Sequence, residues 1–340
     1  MSDHDADEPG GRFEDRYELG HPIGAGASSE VYEARDRRSG RTVAIKLLSE
    51  AAAADPAARE RFEREVQVGR RLAHPNLLTV VDHGTLGGRP FLVTELFAGK
   101  PLAERMRERL AAGQVFRILE QVLDGLEAVH ANGIVHRDLK PANILVGDSG
   151  DLAVKITDFG VAKPMMGPTR GPATAQGVVL GTPAYMAPEQ VAGQPCTAST
   201  DLYAVAVMFY ELAVGTHPFP TESSADMLRA QLLAEPRIPW SLHPALRRVL
   251  ERGLEKSPSA RFAGAPELRR ALRVLEREVL AGSGVVHVRS GPVRIPVQNP
   301  SGAIRVARRA RRTVVAMGLA CATLITALLV ALPALRWAIP

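Results

Sequence analysis

His136-Arg137-Asp138-Leu139-Lys140-Pro141-Ala142-Asn143 puts one acid, two fixed cations and an amide into a short polar stretch. Apolar runs flank it, residues 126–135 (LEAVHANGIV) before and 144–146 (ILV) after. Asp138 suits the role of base for a hydroxyl proton. Lys140 suits charge stabilisation on a transferred phosphoryl group. Asp158-Phe159-Gly160 follows a second apolar run, 153–157 (AVKIT). Asn143 and Asp158 then offer the hard oxygen ligands that Mg²⁺ prefers. A polar surface loop rarely assembles this set.

Upstream, Gly24-Ala25-Gly26-Ala27-Ser28-Ser29-Glu30-Val31 lies between two strand-like runs. Glycines there let the backbone approach phosphates without a Cβ in the way. Ser29 stands where a third glycine would complete the commonest pattern. Val43-Ala44-Ile45-Lys46 ends an apolar strand on a lysine, which is costly to bury unless an acid pairs with it. The next helical stretch, 51–72, offers Glu60, Glu63 and Glu65. Strands are expected over 76–81 and 90–95. From Gly99 on, helices are expected over 101–111, 114–132, 200–214, 223–233, 244–254 and 265–280. The pattern is a β-rich small lobe, a linker near 95–99 and a helical large lobe, in the α+β class.

In this order the motifs resemble the eukaryotic-type protein kinases, in particular the membrane-attached serine/threonine kinases of bacteria, over roughly residues 17–280. The resemblance implies a bilobal protein-kinase fold, with an N-lobe at 17–95 and a C-lobe at 100–280. ATP with Mg²⁺ or Mn²⁺ would be its cofactors. Ile23, Gly24, Gly26, Ser29, Val31 and Ala44 would enclose the nucleotide, and Lys46, paired with Glu65, would hold its phosphates. Thr94, Glu95 and Leu96 would sit at the adenine. Asp138 would be the base, with Lys140 beside it, and Asn143 and Asp158 would hold the metal. Residues 181–189 would cradle the acceptor peptide, and Asp201 and Arg261 would be framework positions, Arg261 as the ion partner of Glu189. Lys140 with Thr182 is the serine/threonine pattern, so the implied partners are protein substrates with Ser/Thr acceptors and a second copy of the chain. Thr174 and then Thr169 are the expected sites of trans-autophosphorylation. Gly69, one turn after Glu65, is expected to loosen its helix. An inactive scaffold of this fold would lose the lysine or one of the two aspartates. A kinase of small molecules would lack GTPAYMAPEQ.

Charge is distributed unevenly. The formal charge is +5, but residues 282–340 carry eight arginines and no acid, leaving −3 for residues 1–281. Nucleic-acid binding by the globular part is therefore not expected. Two cysteines cannot make a disulfide framework and are expected as free thiols. Residues 1–16 read as a disordered acidic lead-in without a signal peptide, and 281–312 as a basic juxtamembrane linker. Residues 313–335 have no charge, and at ~1.5 Å per residue they reach across a ~30 Å hydrocarbon layer. One transmembrane helix is expected there, with residues 336–340 as a short extracytoplasmic tail. The preceding arginines favour a cytoplasmic kinase domain and contact with membrane lipid, in a single-pass protein of the cell membrane.

Overall fold

The structure is a computed structural model that describes residues 13–281 apart from 27, 109, 149, 151, 160–162 and 165–182. The small lobe opens with a helical turn, α1 (Phe13–Arg16), followed by strands β1 (Tyr17–Ala25), β2 (Ser29–Asp36) and β3 (Thr42–Leu48). Helices α2 (Glu50–Ala53) and α3 (Pro56–Arg71) come next, then β4 (Val80–Leu86) and β5 (Arg89–Glu95). The five strands form an antiparallel sheet in the order β1-β2-β3-β5-β4. Period-two alternation decides which face does what. Val43, Ile45 and Leu47 of β3 pack with Tyr17, Ala34, Phe91 and Val93 on one face. Ala44 and Lys46 turn to the other, which lines a cavity.

The helix expected over 51–72 is two helices, because Asp55-Pro56 restarts it. The Asp55 side chain accepts from the Ala57 N–H and Pro56 occupies the first helical turn, where its missing N–H costs nothing. Phe62 and Val66 of α3 pack on Leu48 and Leu92 of the sheet. Gly69 corrects the expectation of a loosened helix. A Cβ there would lie 2.5 Å from Val80 Cγ2, so glycine marks close contact between α3 and β4. The strand expected over 76–81 also moves, to β4. Asn76 to Leu78 pair instead with the large lobe: Ile156 N–H donates to Asn76 O (2.8 Å) and Leu78 N–H to Ile156 O (2.9 Å).

The large lobe starts with β6 (Gly99–Pro101) and α4 (Leu102–Arg105) where one helix over 101–111 was expected. Pro101, the first of those positions, pairs in β6 with Leu145. Then come α5 (Ala112–Ala131), β7 (Ile134–Val135), β8 (Ile144–Gly147), β9 (Val154–Ile156) and β10 (Lys163–Pro164). Helices α6 (Pro188–Val191), α7 (Ala198–Val214), α8 (Ser224–Leu233), α9 (Pro244–Gly253) and α10 (Ala265–Ala281) complete it. Buried from Ser199 to Ala213, α7 is the axis of the lobe, and it ends on Gly215 at φ +83°, whose N–H caps Glu211 O. Asp201, buried on α7, accepts from the N–H groups of His136 (2.9 Å) and Arg137 (2.9 Å) and bonds His130 Nε2 (2.8 Å). The catalytic-loop backbone is thus fastened to the best-buried helix. Among the described residues no helix is long and apolar enough to cross a membrane. Residues 13–16, expected as the end of a disordered lead-in, form α1 instead, while residues 1–12, the expected linker and span (282–335), the tail (336–340) and Cys321 lie outside the described residues. Cys196 is a free, buried thiol.

Candidate active site

A cavity of about 930 Å³ lies between the β-sheet and the helical lobe. All of Ile23, Gly24, Gly26, Ser29, Val31, Ala44, Lys46, Glu65, Thr94, Glu95 and Leu96 line it from the small lobe and the linker. Asp138, Lys140, Asn143 and Asp158 line it from the large lobe. Strand register explains the grouping on the first side. Val31 is the cross-strand partner of Lys46, Lys46 of Leu92, and Ala44 of Thr94, so these side chains share one face. Thr94 is buried, and its Oγ1 donates to Glu95 O (3.1 Å). Glu95 is held from two sides: Lys155 Nζ lies 2.7 Å from its Oε1 and the Thr79 N–H donates to the same oxygen (2.9 Å). Burial alone would raise the Glu95 carboxyl, but these partners keep it below the usual range.

Of the three acids that the helical stretch offers Lys46, Glu65, the one the resemblance implied, lies 2.7 Å from its Nζ. Lys46 Nζ also donates to Asp158 Oδ1 at 2.6 Å. One ammonium therefore joins the sheet, α3 and the large lobe. Burial opposes its charge, but the two carboxylates outweigh that and hold Lys46 above the ordinary lysine range. Burial pushes Glu65 up, whereas Asp158, desolvated as well, is pulled down by Lys46.

On the opposite wall Lys140 Nζ sits 2.6 Å from Asp138 Oδ2. Asn143 Nδ2 donates to Asp138 O (2.8 Å) and to Oδ2 (3.2 Å). With its nitrogen committed, Asn143 keeps its carbonyl oxygen as an acceptor. That oxygen and the Asp158 carboxylate, whose side chain is 41% exposed, are an all-oxygen donor pair on one cavity. Hard divalent cations fit such a pair, Mg²⁺ among them. Arg137 (φ +67°) and Asp158 (φ +63°) both occupy the left-handed region, a conformation that persists only where the surroundings enforce it. His136 is one enforcer, since its Nδ1 accepts from the Asp138 N–H (3.3 Å) and its Nε2 meets Thr157 O (3.0 Å).

Glu189 and Arg261 form the expected buried pair, bidentate at 2.8 Å for both contacts. Thr169, Thr174, Gly181 and Thr182 lie outside the described residues. Sequence reading missed Leu145, Leu78 and Thr157, which also line the cavity. Leu145 had no signal in sequence, since it lies in the uniformly apolar run 144–146, and only the fold leaves it half-buried between the fully buried Ile144 and Val146. Leu78 had none, because its place depends on the pairing of 76–78 with β9.

Comparison with known proteins agrees with this geometry. The protein kinase domain family matches residues 17–272. The serine/threonine-protein kinase Pkn1 of Myxococcus xanthus is 39% identical over 264 residues, covering 76% of this chain and 38% of that protein. Serine/threonine-protein kinase PkaA of Streptomyces coelicolor is 39% identical over 292 residues, 82% of this chain and 52% of the relative. Serine/threonine-protein kinase PknA of Mycobacterium tuberculosis is 34% identical over 314 residues, 87% and 72% of the two chains. The chain thus spans about half or less of the length of the first two. With the matched region covering the whole cavity and both of its walls, the chain belongs to the protein kinase family, among the eukaryotic-like kinases of bacteria.

Proposed function

We propose that this protein transfers the γ-phosphate of ATP to serine and threonine hydroxyls of proteins. The observation that carries the reading is the facing of two clusters across one cavity. Lys46, shared by Glu65 and Asp158 at 2.7 and 2.6 Å, looks toward Asp138, Lys140 and Asn143. ATP is the nucleotide this shape suits: apolar and small side chains (Ile23, Val31, Ala44) precede a cationic end. Asn143 and Asp158 would hold Mg²⁺ or Mn²⁺, and a bound divalent cation supplies charge neutralisation on the phosphates. Asp138 accepts the hydroxyl proton as the acceptor oxygen bonds to the γ-phosphorus and the bridging oxygen departs with ADP. Lys140 and Asn143 hold Asp138 Oδ2, which directs Oδ1 to that proton. Lys46 anchors the phosphates, exchanging a carboxylate of Asp158 for phosphate oxygen. The serine/threonine preference is supported by Lys140 and by relatives that carry this activity in their names.

The reading includes self-phosphorylation in trans, at Thr174 before Thr169, because these are the hydroxyl-bearing residues between Gly160 and Gly181. It also includes a single-pass anchor at 313–335 that keeps the kinase domain on the cytoplasmic face. The support is the uncharged run and the arginines before it. Purified full-length protein with Mg·ATP should phosphorylate a Ser/Thr peptide, and Asp138→Asn should reduce the rate by on the order of 10³-fold or more. Turnover by Asp138→Asn at the unmutated rate overturns the assignment. Removing residues 305–340 should move the protein from the membrane to the soluble fraction with peptide phosphorylation intact. Release of the unaltered chain by high-salt or carbonate washing would count against the anchor.

A further inference from the structure

The Arg137–Asp138 peptide carries the base, and both of its edges are held. Its N–H, that of Asp138, donates to His136 Nδ1 (3.3 Å), and its carbonyl, that of Arg137, accepts from Gln190 Nε2 at 2.7 Å. Gln190 comes from the other side of the site, on α6, just after the Pro183–Tyr185 turn of the acceptor segment. Its other amide atom is used as well, since Oε1 accepts from the Ala187 N–H at 3.0 Å. Each neighbour has one role only, a carbonyl that accepts and an N–H that donates. The orientation of the amide is therefore determined. Arg137 at φ +67° would relax without such ties, and relaxation would rotate the peptide that presents Asp138.

We propose that Gln190 is a positioning residue for phosphoryl transfer, holding the Arg137 carbonyl so that the seat of the acceptor and the base move as one unit. The inference rests on the reading of Asp138 as base. Asp201 fixes the preceding N–H groups of His136 and Arg137, and Gln190 adds a tie to the Arg137 carbonyl from the helix that follows the acceptor segment.

Gln190→Glu separates this role from the local cap. An ionised carboxylate still accepts from Ala187 but cannot donate to Arg137 O; once protonated it can. Of the charged groups around the position, Glu189 is taken by Arg261 and Thr200, Asp201 by His130 and two N–H groups, and Arg137 adds a guanidinium on the accepting residue itself. A carboxyl facing a carbonyl oxygen forms a hydrogen bond only when protonated, which raises it above the ordinary value of about 4.3. With full-length protein at about pH 8, kcat for peptide should fall roughly ten- to a hundred-fold while KM for ATP changes little. The deficit relative to the unmutated protein should shrink as pH falls toward about 6. Gln190→Met should show the same loss in kcat with no such recovery. Unmutated kcat in Gln190→Glu at about pH 8 overturns the proposal, as does a deficit equal to that of Gln190→Met at every pH. Should Gln190→Glu not fold, Gln190→Met decides: a kcat loss at constant KM supports the tie, and unmutated kcat removes it. Failure of the underlying reading looks different, because the unmutated protein would then be no more active than Asp138→Asn.

Discussion

At the scale of single residues, burial and hydrogen bonding set the acids apart. Glu211 of α7 is buried and receives the Tyr185 hydroxyl at 2.7 Å, and desolvation pushes its carboxyl up to about 7 despite that donor. Tyr185 lies in the stretch proposed to cradle the acceptor peptide. A carboxyl with a raised folded pKa binds its proton more tightly in the folded state. Its stabilising contribution is therefore complete below the unfolded value near 4.5 and is lost as pH rises through about 7. Across that window the linkage amounts to about 3 kcal/mol. Glu211→Gln should remove this part of the pH dependence. The melting temperature of the unmutated protein should fall relative to Glu211→Gln between about pH 5 and 8. Parallel curves for the two forms would show that Glu211 does not titrate in that range.

At the scale of elements, α3 shows how a helix is steered onto a sheet by an absent side chain. Its helical spacing is legible in sequence, whereas its Asp55-Pro56 start emerged only in the structure, which packs Phe62 and Val66 on the sheet. Gly69 in the same helix looks like a defect in sequence and is a contact in space, where a methyl group would lie only 2.5 Å from Val80 Cγ2. Alanine at 69 would gain ~1 kcal/mol of helix propensity, yet must push α3 from β4 and draw Glu65 from Lys46. Gly69→Ala should lower stability by about 1–3 kcal/mol and reduce kcat, read from urea unfolding and peptide turnover. Val80→Ala combined with Gly69→Ala should recover most of both losses. A single Gly69→Ala form that is more stable than the unmutated chain and fully active would show that propensity, not packing, governs this helix.

At the scale of the whole molecule, the buried Glu189–Arg261 pair joins α6 to the segment before α10, with Arg261 also donating to Ser199 O, Glu255 O and Lys256 O. Removing one partner strands the other charge where water cannot reach it. Arg261→Ala should therefore cost about 3–5 kcal/mol in chemical unfolding, against a near-zero effect for breaking an exposed pair such as Arg247–Glu251. Equal small losses for the two would mean the framework reading of Arg261 is wrong. A second tie runs along the lobe, where Arg269 meets Asp124 and Glu127, and Arg273 meets Glu120 at 2.7 Å, zipping α10 to α5.

By sequence alone, the chemistry of this protein was determined wherever residues act within one short stretch. Asp138, Lys140 and Asn143 hold one another over five positions, and their types state their roles. The lysine that ends the apolar run 43–46 likewise announced in sequence that it needs an acidic partner. Contacts across long separations were decided by tertiary structure. Glu65 rather than Glu60 or Glu63 meets Lys46 because α3 packs Phe62 and Val66 inward and so turns Glu65 to the sheet. Residues 76–78, apolar enough for the small-lobe sheet, were taken by β9 because its backbone groups were there to pair. Gln190 finds Arg137 at a separation of 53 residues. Such pairings depend on where two folded surfaces meet, and local spacing carries no record of that.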